Sequence, residues 1–226
     1  MLEPLDGALK DLSVTHLKRD DCDDALLICL DFDLTLTQLH TFHYVIDAIK
    51  GGFSREEAVL RAIRLLKSQG PKGGELLWQA LAACLNRGHG VAITSFTAFP
   101  ELAQALLASG LSTVRPLLKE RSHSRWLSRP LIIYGDPAPS FNPPQALPNT
   151  HLVDQKELSC GDFGKNCHIK AALAALAAKG FSYQKTLLMD DDPHNIKLAT
   201  EAGHLVISVN REEGDLTHID RLLSQI

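Results

Sequence analysis

The sequence predicts an α/β fold, a doubly wound parallel sheet with helices on both faces. Three observations predict it. Short apolar runs recur without polar alternation, as strands buried on both faces do. Stretches of helical period separate them, which argues for a parallel sheet with helices packed over it. Two of the runs end abruptly in carboxylates, and an open parallel sheet binds its ligands at the carboxyl ends of its strands.

The elements follow in order. Leu2, Leu5, Leu9 and Leu12 repeat at helical spacing and predict an amphipathic opening helix. Asp20 to Asp24 punctuate the chain before Ala25-Leu26-Leu27-Ile28-Cys29-Leu30, the first buried strand, which ends in Asp31-Phe32-Asp33-Leu34-Thr35. Residues 39–72 then carry two helical patterns, Phe42 to Ala48 and Arg55 to Lys67, bracketed by Gly51-Gly52 and Gly70-Pro71 with no strand after the first. They predict a small helical insertion riding above the sheet. A helix from Glu75 to Asn86 stops at Arg87-Gly88, and Val91-Ala92-Ile93 is the second strand. Pro100 to Ala108 predicts a helix ending at Gly110, and Leu131 to Tyr134 a third strand.

Six of the eleven prolines fall in residues 130–148, so about 129–148 is expected to be a long loop. Asn166 to Lys179 is a helix stopped by Gly180, Thr186 to Met189 a strand ending in Asp190-Asp191-Asp192, and His204 to Val209 a fifth strand. Asp192 before Pro193 reads as a helix N-cap. With 226 residues, the chain is expected to form one domain, 1–226, carrying the insertion and the loop.

Composition narrows the function. Lys and Arg total 23 against 27 Asp and Glu, a net −4, which offers no basic footprint for nucleic acid. No apolar stretch approaches the ~20 residues of a membrane span. The acidic opening lacks the basic start and apolar run of an export signal. A cytoplasmic location is expected, or delivery into another cell by a route needing no such signal. The five cysteines show no CxxC spacing, so neither a zinc knuckle nor a disulfide framework is predicted.

The chemistry lies in the acidic strand ends. Asp31 and Asp33, with Thr35 beyond, follow one buried strand; Asp190, Asp191 and Asn195 follow another. In a parallel sheet both open on the same edge and can converge on one divalent cation. Oxygen ligands with few His or Cys nearby favour Mg²⁺ over zinc.

These residues resemble the haloacid-dehalogenase-like (HAD) superfamily. Asp31-Phe32-Asp33-Leu34-Thr35 is similar to its DxDxT signature, and Asp190-Asp191 with Asn195 to its DDxxxN element. Val91-Ala92-Ile93-Thr94-Ser95 supplies the expected strand-terminal hydroxyl, and Gly164-Lys165-Asn166 the expected Lys at a helix start. The resemblance covers residues 25–209 and implies a Mg²⁺-dependent phosphatase.

It makes Asp31 the nucleophile that forms an aspartyl-phosphate and Asp33 the general acid and then base. Ser95 and Lys165 would bind the phosphoryl group. Asp31, the Asp33 backbone carbonyl and Asp191 would hold the metal, with Asp190 orienting Asp191 or a bound water. Asn195 and Thr35 would support them by hydrogen bonds. Thr94 competes with Ser95, because adjacent strand residues point oppositely, and Lys170 competes with Lys165. The dehalogenase branch lacks the second aspartate, so Asp33 argues against it. A phosphotransferase of the same kind and a non-enzymatic receiver-like phosphorylatable switch are the alternatives.

The insertion is too small to seal a chamber over a metabolite. Together with the proline-rich loop it predicts an open cleft that admits a phosphorylated side chain, with Phe42, Phe96 and Phe141 as wall candidates. The arrangement also resembles small-capped HAD protein phosphatases, including phosphotyrosine-directed ones from bacterial effectors, and a phosphoprotein, phosphotyrosine ahead of phosphoserine, is therefore expected ahead of small metabolites. His40 and His43 are expected on the substrate rim, and Trp78 and Trp126 in packing.

Overall fold

The structure, a computed structural model, describes residues 24–97, 99–134, 149–153, 164–212 and 215–226. The opening leucine stripe and residues 135–148 of the proline-rich loop, Phe141 among them, lie outside the described residues.

The apolar runs form a six-stranded, wholly parallel sheet of β1 (Leu26–Leu30), β2 (Gly90–Ser95), β3 (Leu131–Tyr134), β4 (Thr150–Val153), β5 (Lys185–Asp190) and β6 (Leu205–Ser208). The order is β4-β3-β2-β1-β5-β6. The chain runs outward from β1 to β4, then returns to the other side of β1 for β5. The order therefore reverses between β1 and β5, the place where such sheets bind ligands.

The helices are α1 (Thr41–Lys50), α2 (Arg55–Gln69), α3 (Gly74–Asn86), α4 (Pro100–Val114), α5 (Glu120–Ser128), α6 (Asn166–Ala177), α7 (Pro193–Glu201) and α8 (Thr217–Ser224). The period-two alternation of β1 sorts them into two layers. Leu26, Ile28 and Leu30 face one apolar cluster with side chains of α2, α3, α4, α5 and α8. Leu27 and Cys29 face the other, against Ile169, Ala172 and Leu176 of α6 and Ala199 of α7. The chain is thus a doubly wound α/β sheet with helices on both faces. Trp78 and Trp126 pack edge to face within the first cluster, 6.2 Å apart.

Two expectations are corrected. The insertion does not simply ride above the sheet. Ala58, Val59, Ala62 and Leu66 form one stripe of α2 and are buried in the main core, and Arg55 pairs with Glu101 of α4 at 2.8 Å. Helix α4 does not stop at Gly110 but runs on to Val114. Gly110 is there for packing, since a Cβ on it would lie 2.5 Å from the Trp78 ring. Strand β4 and helices α5 and α8 add to the elements that the sequence pattern predicts.

Candidate active site

Backbone bonds set the two acidic segments side by side. Asp31 N–H donates to the Met189 carbonyl at 2.9 Å, continuing the β1–β5 ladder one residue past β1. Val209 N–H donates to the Asp190 carbonyl at 2.9 Å, so β6 fixes the end of β5. After Asp31 the chain turns sharply. Leu34 takes a left-handed φ of 59°, and the N–H groups of Leu36 and Thr37 both donate to the Phe32 carbonyl at 3.0 Å. A branched side chain adopts that φ only when its surroundings hold it there, and such strain gathers at functional turns. Here it returns Asp33 and Thr35 to the carboxyl edge of the sheet.

Asp31, Asp190 and Asp191 each offer a carboxylate oxygen, and the three lie within 4.8 Å of one another. All are nearly buried, at 7%, 0% and 9% exposure. Lys165 is completely buried as well; its Nζ donates to Asp31 Oδ1 at 2.6 Å and to the Thr94 carbonyl at 2.9 Å. The Phe96 ring lies 4.2 Å from that ammonium and covers it.

Around the three carboxylates, Asn195 Nδ2 donates to both Asp190 oxygens, at 3.1 and 3.0 Å. Asp190 Oδ1 also accepts from Asp192 N–H at 2.8 Å. The Thr35 hydroxyl donates to Asp191 Oδ1 at 3.2 Å, and Arg211 Nε to Asp191 Oδ2 at 2.7 Å.

Asp33 stands apart from this cluster. Its Oδ1 accepts from Thr41 N–H at 2.8 Å and from the Thr41 hydroxyl at 2.5 Å, and its Oδ2 lies 3.3 Å from His40 Nδ1. The first residue of α1 therefore orients the Asp33 carboxyl at the mouth of the cleft. Any contribution of Asp33 to a metal would come from its backbone carbonyl.

The electrostatics favour a cation. Burial pushes the Asp31 carboxyl up to about 7, although Lys165 pulls it back down. Burial also raises Asp190, against the opposing pull of Lys165, Asp192 and Asn195. Among the described residues, only Lys165 and Arg211 donate side-chain hydrogen bonds from a cation to the three carboxylates, with the Lys72 ammonium interacting with Asp191 at longer range. Buried carboxylates in that condition are costly unless a cation joins them. The donor set, all hard oxygen, suits Mg²⁺.

A cleft of about 470 Å³ opens over the cluster; its lining includes Asp31, Asp33, Ser95, Asn195, Phe42 and Phe96. Ser95 and Thr94 point oppositely. The Ser95 oxygen accepts from Thr97 N–H at 3.1 Å, which leaves its O–H to donate into the cleft. The Thr94 hydroxyl turns to the Leu30 carbonyl at 3.4 Å. Lys165 reaches the cluster, whereas Lys170 is exposed on α6. His40 and His43 line the rim, their rings 4.1 Å apart. Asp192 caps α7 by accepting from His194 N–H at 2.8 Å.

Sequence reasoning missed Thr41, Lys72 and Arg211. Arg211 follows β6 on the ligand-binding edge, a position that could have singled it out. Lys72, nearly buried, donates to the Leu34 and Asn210 carbonyls and ties the turn after Asp33 to the segment after β6. No sequence signal marks it.

No protein-family model matches the chain, and no curated protein does. Among solved structures, the HAD domain of effector protein Lem4 from Legionella pneumophila is similar over 88% of this chain and 93% of that one. The identity is 16% and the TM-score 0.44. No helix among the described residues is long and apolar enough to cross a membrane.

Proposed function

We propose that the chain is a Mg²⁺-dependent phosphomonoester hydrolase acting through an aspartyl-phosphate on Asp31. One observation carries the reading: three buried carboxylates within 4.8 Å, one of them paired with a buried lysine at 2.6 Å, at the strand-order reversal. The ordered resemblance of the same positions to the HAD motifs supports it. Asp31, Asp191 and the Asp33 carbonyl would hold the cation, with Asp190 beside them. When bound, the cation would neutralise charge on the phosphoryl oxygens and on Asp31.

The chain's own residues do the rest. Lys165 holds Asp31 Oδ1, leaving Oδ2 to attack phosphorus. The Ser95 hydroxyl donates to a phosphoryl oxygen. As the ester bond breaks, Asp33 gives its proton to the leaving oxygen, and Asp31 keeps the phosphoryl group. Asp33 then takes a proton from water as that water attacks phosphorus, and Asp31 is released as carboxylate. Thr41 and His40 fix the direction from which Asp33 acts.

Asp33→Asn is expected to slow turnover strongly with alkyl phosphates and much less with an activated aryl phosphate, whose oxygen leaves without a proton. Steady-state rates across a leaving-group series check this. Equal defects throughout the series would remove Asp33 from the acid role.

The preferred substrate is a phosphorylated side chain on a protein, phosphotyrosine first. Phe42 and Phe96 stand on the cleft walls and suit an aryl ring. The insertion is anchored to α4 through Arg55–Glu101 and through the apolar stripe of α2, which favours a cleft that stays open to a macromolecule. Comparing phosphotyrosine peptides with sugar phosphates and nucleotides under Mg²⁺ tests this. Phosphopeptides are expected to have the highest kcat/KM. A metabolite exceeding the best of them by about a hundredfold would overturn the protein-substrate reading.

A further inference from the structure

Arg211 is hydrogen-bonded to the acidic cluster, yet the proposed chemistry leaves it without a task. Its Nε donates to Asp191 Oδ2 at 2.7 Å, yet its side chain is 59% exposed while that of Asp191 is 6% exposed. The backbone beneath it is pinned. Val209 N–H is held by the Asp190 carbonyl, and the Asn210 carbonyl by Lys72 Nζ. Arg211 therefore stands as a long arm on a fixed base, on the ridge between the catalytic cleft and a neighbouring cleft of about 510 Å³ lined also by Arg221 and Thr217. It has space on both sides.

We propose that Arg211 is a displaceable counter-cation. It holds Asp191 while the cluster lacks a divalent cation, gives way when one binds, and then serves the phosphoryl oxygens of the substrate from the cleft wall. The inference rests on the phosphatase reading above. A divalent cation beside Asp191 repels the guanidinium and competes for the same carboxylate. A ligand shifts such an equilibrium only through its preference for one of the two arrangements, and here that preference is direct. The guanidinium can leave because it is the exposed end of the pair and water can solvate it, while the buried Asp191 then keeps the incoming cation as its partner. Once off Asp191, its planar fork of N–H donors matches a phosphoryl group.

The test uses the full chain with Mn²⁺ as a paramagnetic probe and inorganic phosphate as the anion. Unbound Mn²⁺ is followed by electron paramagnetic resonance, and phosphate binding to the Mn²⁺-loaded protein by calorimetry. Arg211→Ala is expected to bind Mn²⁺ about tenfold more tightly, since the competitor is gone, and phosphate about tenfold more weakly. Arg211→Lys, which keeps the charge but loses the planar fork, is expected to recover only part of the phosphate affinity. A residue that merely braces Asp191 would give weaker Mn²⁺ binding in Arg211→Ala, and an inert surface residue would leave both affinities unchanged. Either result overturns the inference, as does unchanged phosphate binding. Wild-type protein that binds no Mn²⁺ would sink the phosphatase reading itself, an outcome distinct from those.

Discussion

Asp31→Asn is expected to lower phosphatase turnover by at least ~10³, equivalent to ~4 kcal/mol of barrier. The amide keeps the shape of the carboxylate and leaves an oxygen for Lys165, but it cannot form the acyl phosphate. Lys165 sits 2.6 Å from Asp31 and is wholly buried, so the variant also leaves an ammonium without its counter-ion. A thermal melt run beside the assay separates the two effects. If the variant stays folded at the assay temperature and turnover collapses, the loss is chemical. Retention of more than about a tenth of wild-type activity would remove Asp31 from the nucleophile's role.

Removing divalent cations is the second large effect. A chelator is expected to abolish turnover, Mg²⁺ to restore it, and Ca²⁺ to inhibit it. Ca²⁺ takes about 6–8 oxygens at ~2.3–2.6 Å, against the octahedral ~2.0–2.1 Å of Mg²⁺, and would draw Asp31 away from phosphorus. The two acidic neighbours separate in the same assay. Both Asp190 oxygens accept hydrogen bonds from Asn195, and one also accepts from Asp192 N–H; Asp191 accepts from Thr35 and from a surface arginine. Asp191→Ala should therefore raise the Mg²⁺ requirement more than Asp190→Ala does. The reverse order would exchange their roles, and full activity in chelator would refute the metal centre.

The parts of this fold that were legible in the sequence are those written in local pattern. A run such as Leu26 to Leu30, apolar on every residue, short and ended by Asp31, reads as a strand buried on both faces that opens on a polar edge. Once two such strands are parallel, their acidic ends share that edge, so Asp31 and Asp190 can converge; that β1 and β5 are adjacent comes from the strand order. Period two separates Thr94 from Ser95 in the same way.

What escaped depends on contacts between distant segments. Gly110 reads as a helix stop, yet the Trp78 ring needs that bare backbone and the helix continues past it. The four residues of β4 gain their partners only from β3, and nothing in Thr150–Val153 announces a strand. The α2 stripe predicts an amphipathic helix but not that α4 is what it packs against. Arg211 and Thr41 gain their meaning from the carboxylates they reach, which the turn after Asp33 and the end of β6 bring to them.

The covalent intermediate tests the central claim most directly. The protein is mixed with an aryl phosphate and Mg²⁺, quenched in acid, and reduced with borohydride, which converts an aspartyl-phosphate to homoserine; peptide mass spectrometry then locates the change. The account predicts homoserine at position 31, absent from Asp31→Asn, in a protein that also releases inorganic phosphate repeatedly. Labelling at position 31 without turnover would make the chain a phosphorylatable switch, and turnover with no modification at position 31 would contradict the mechanism.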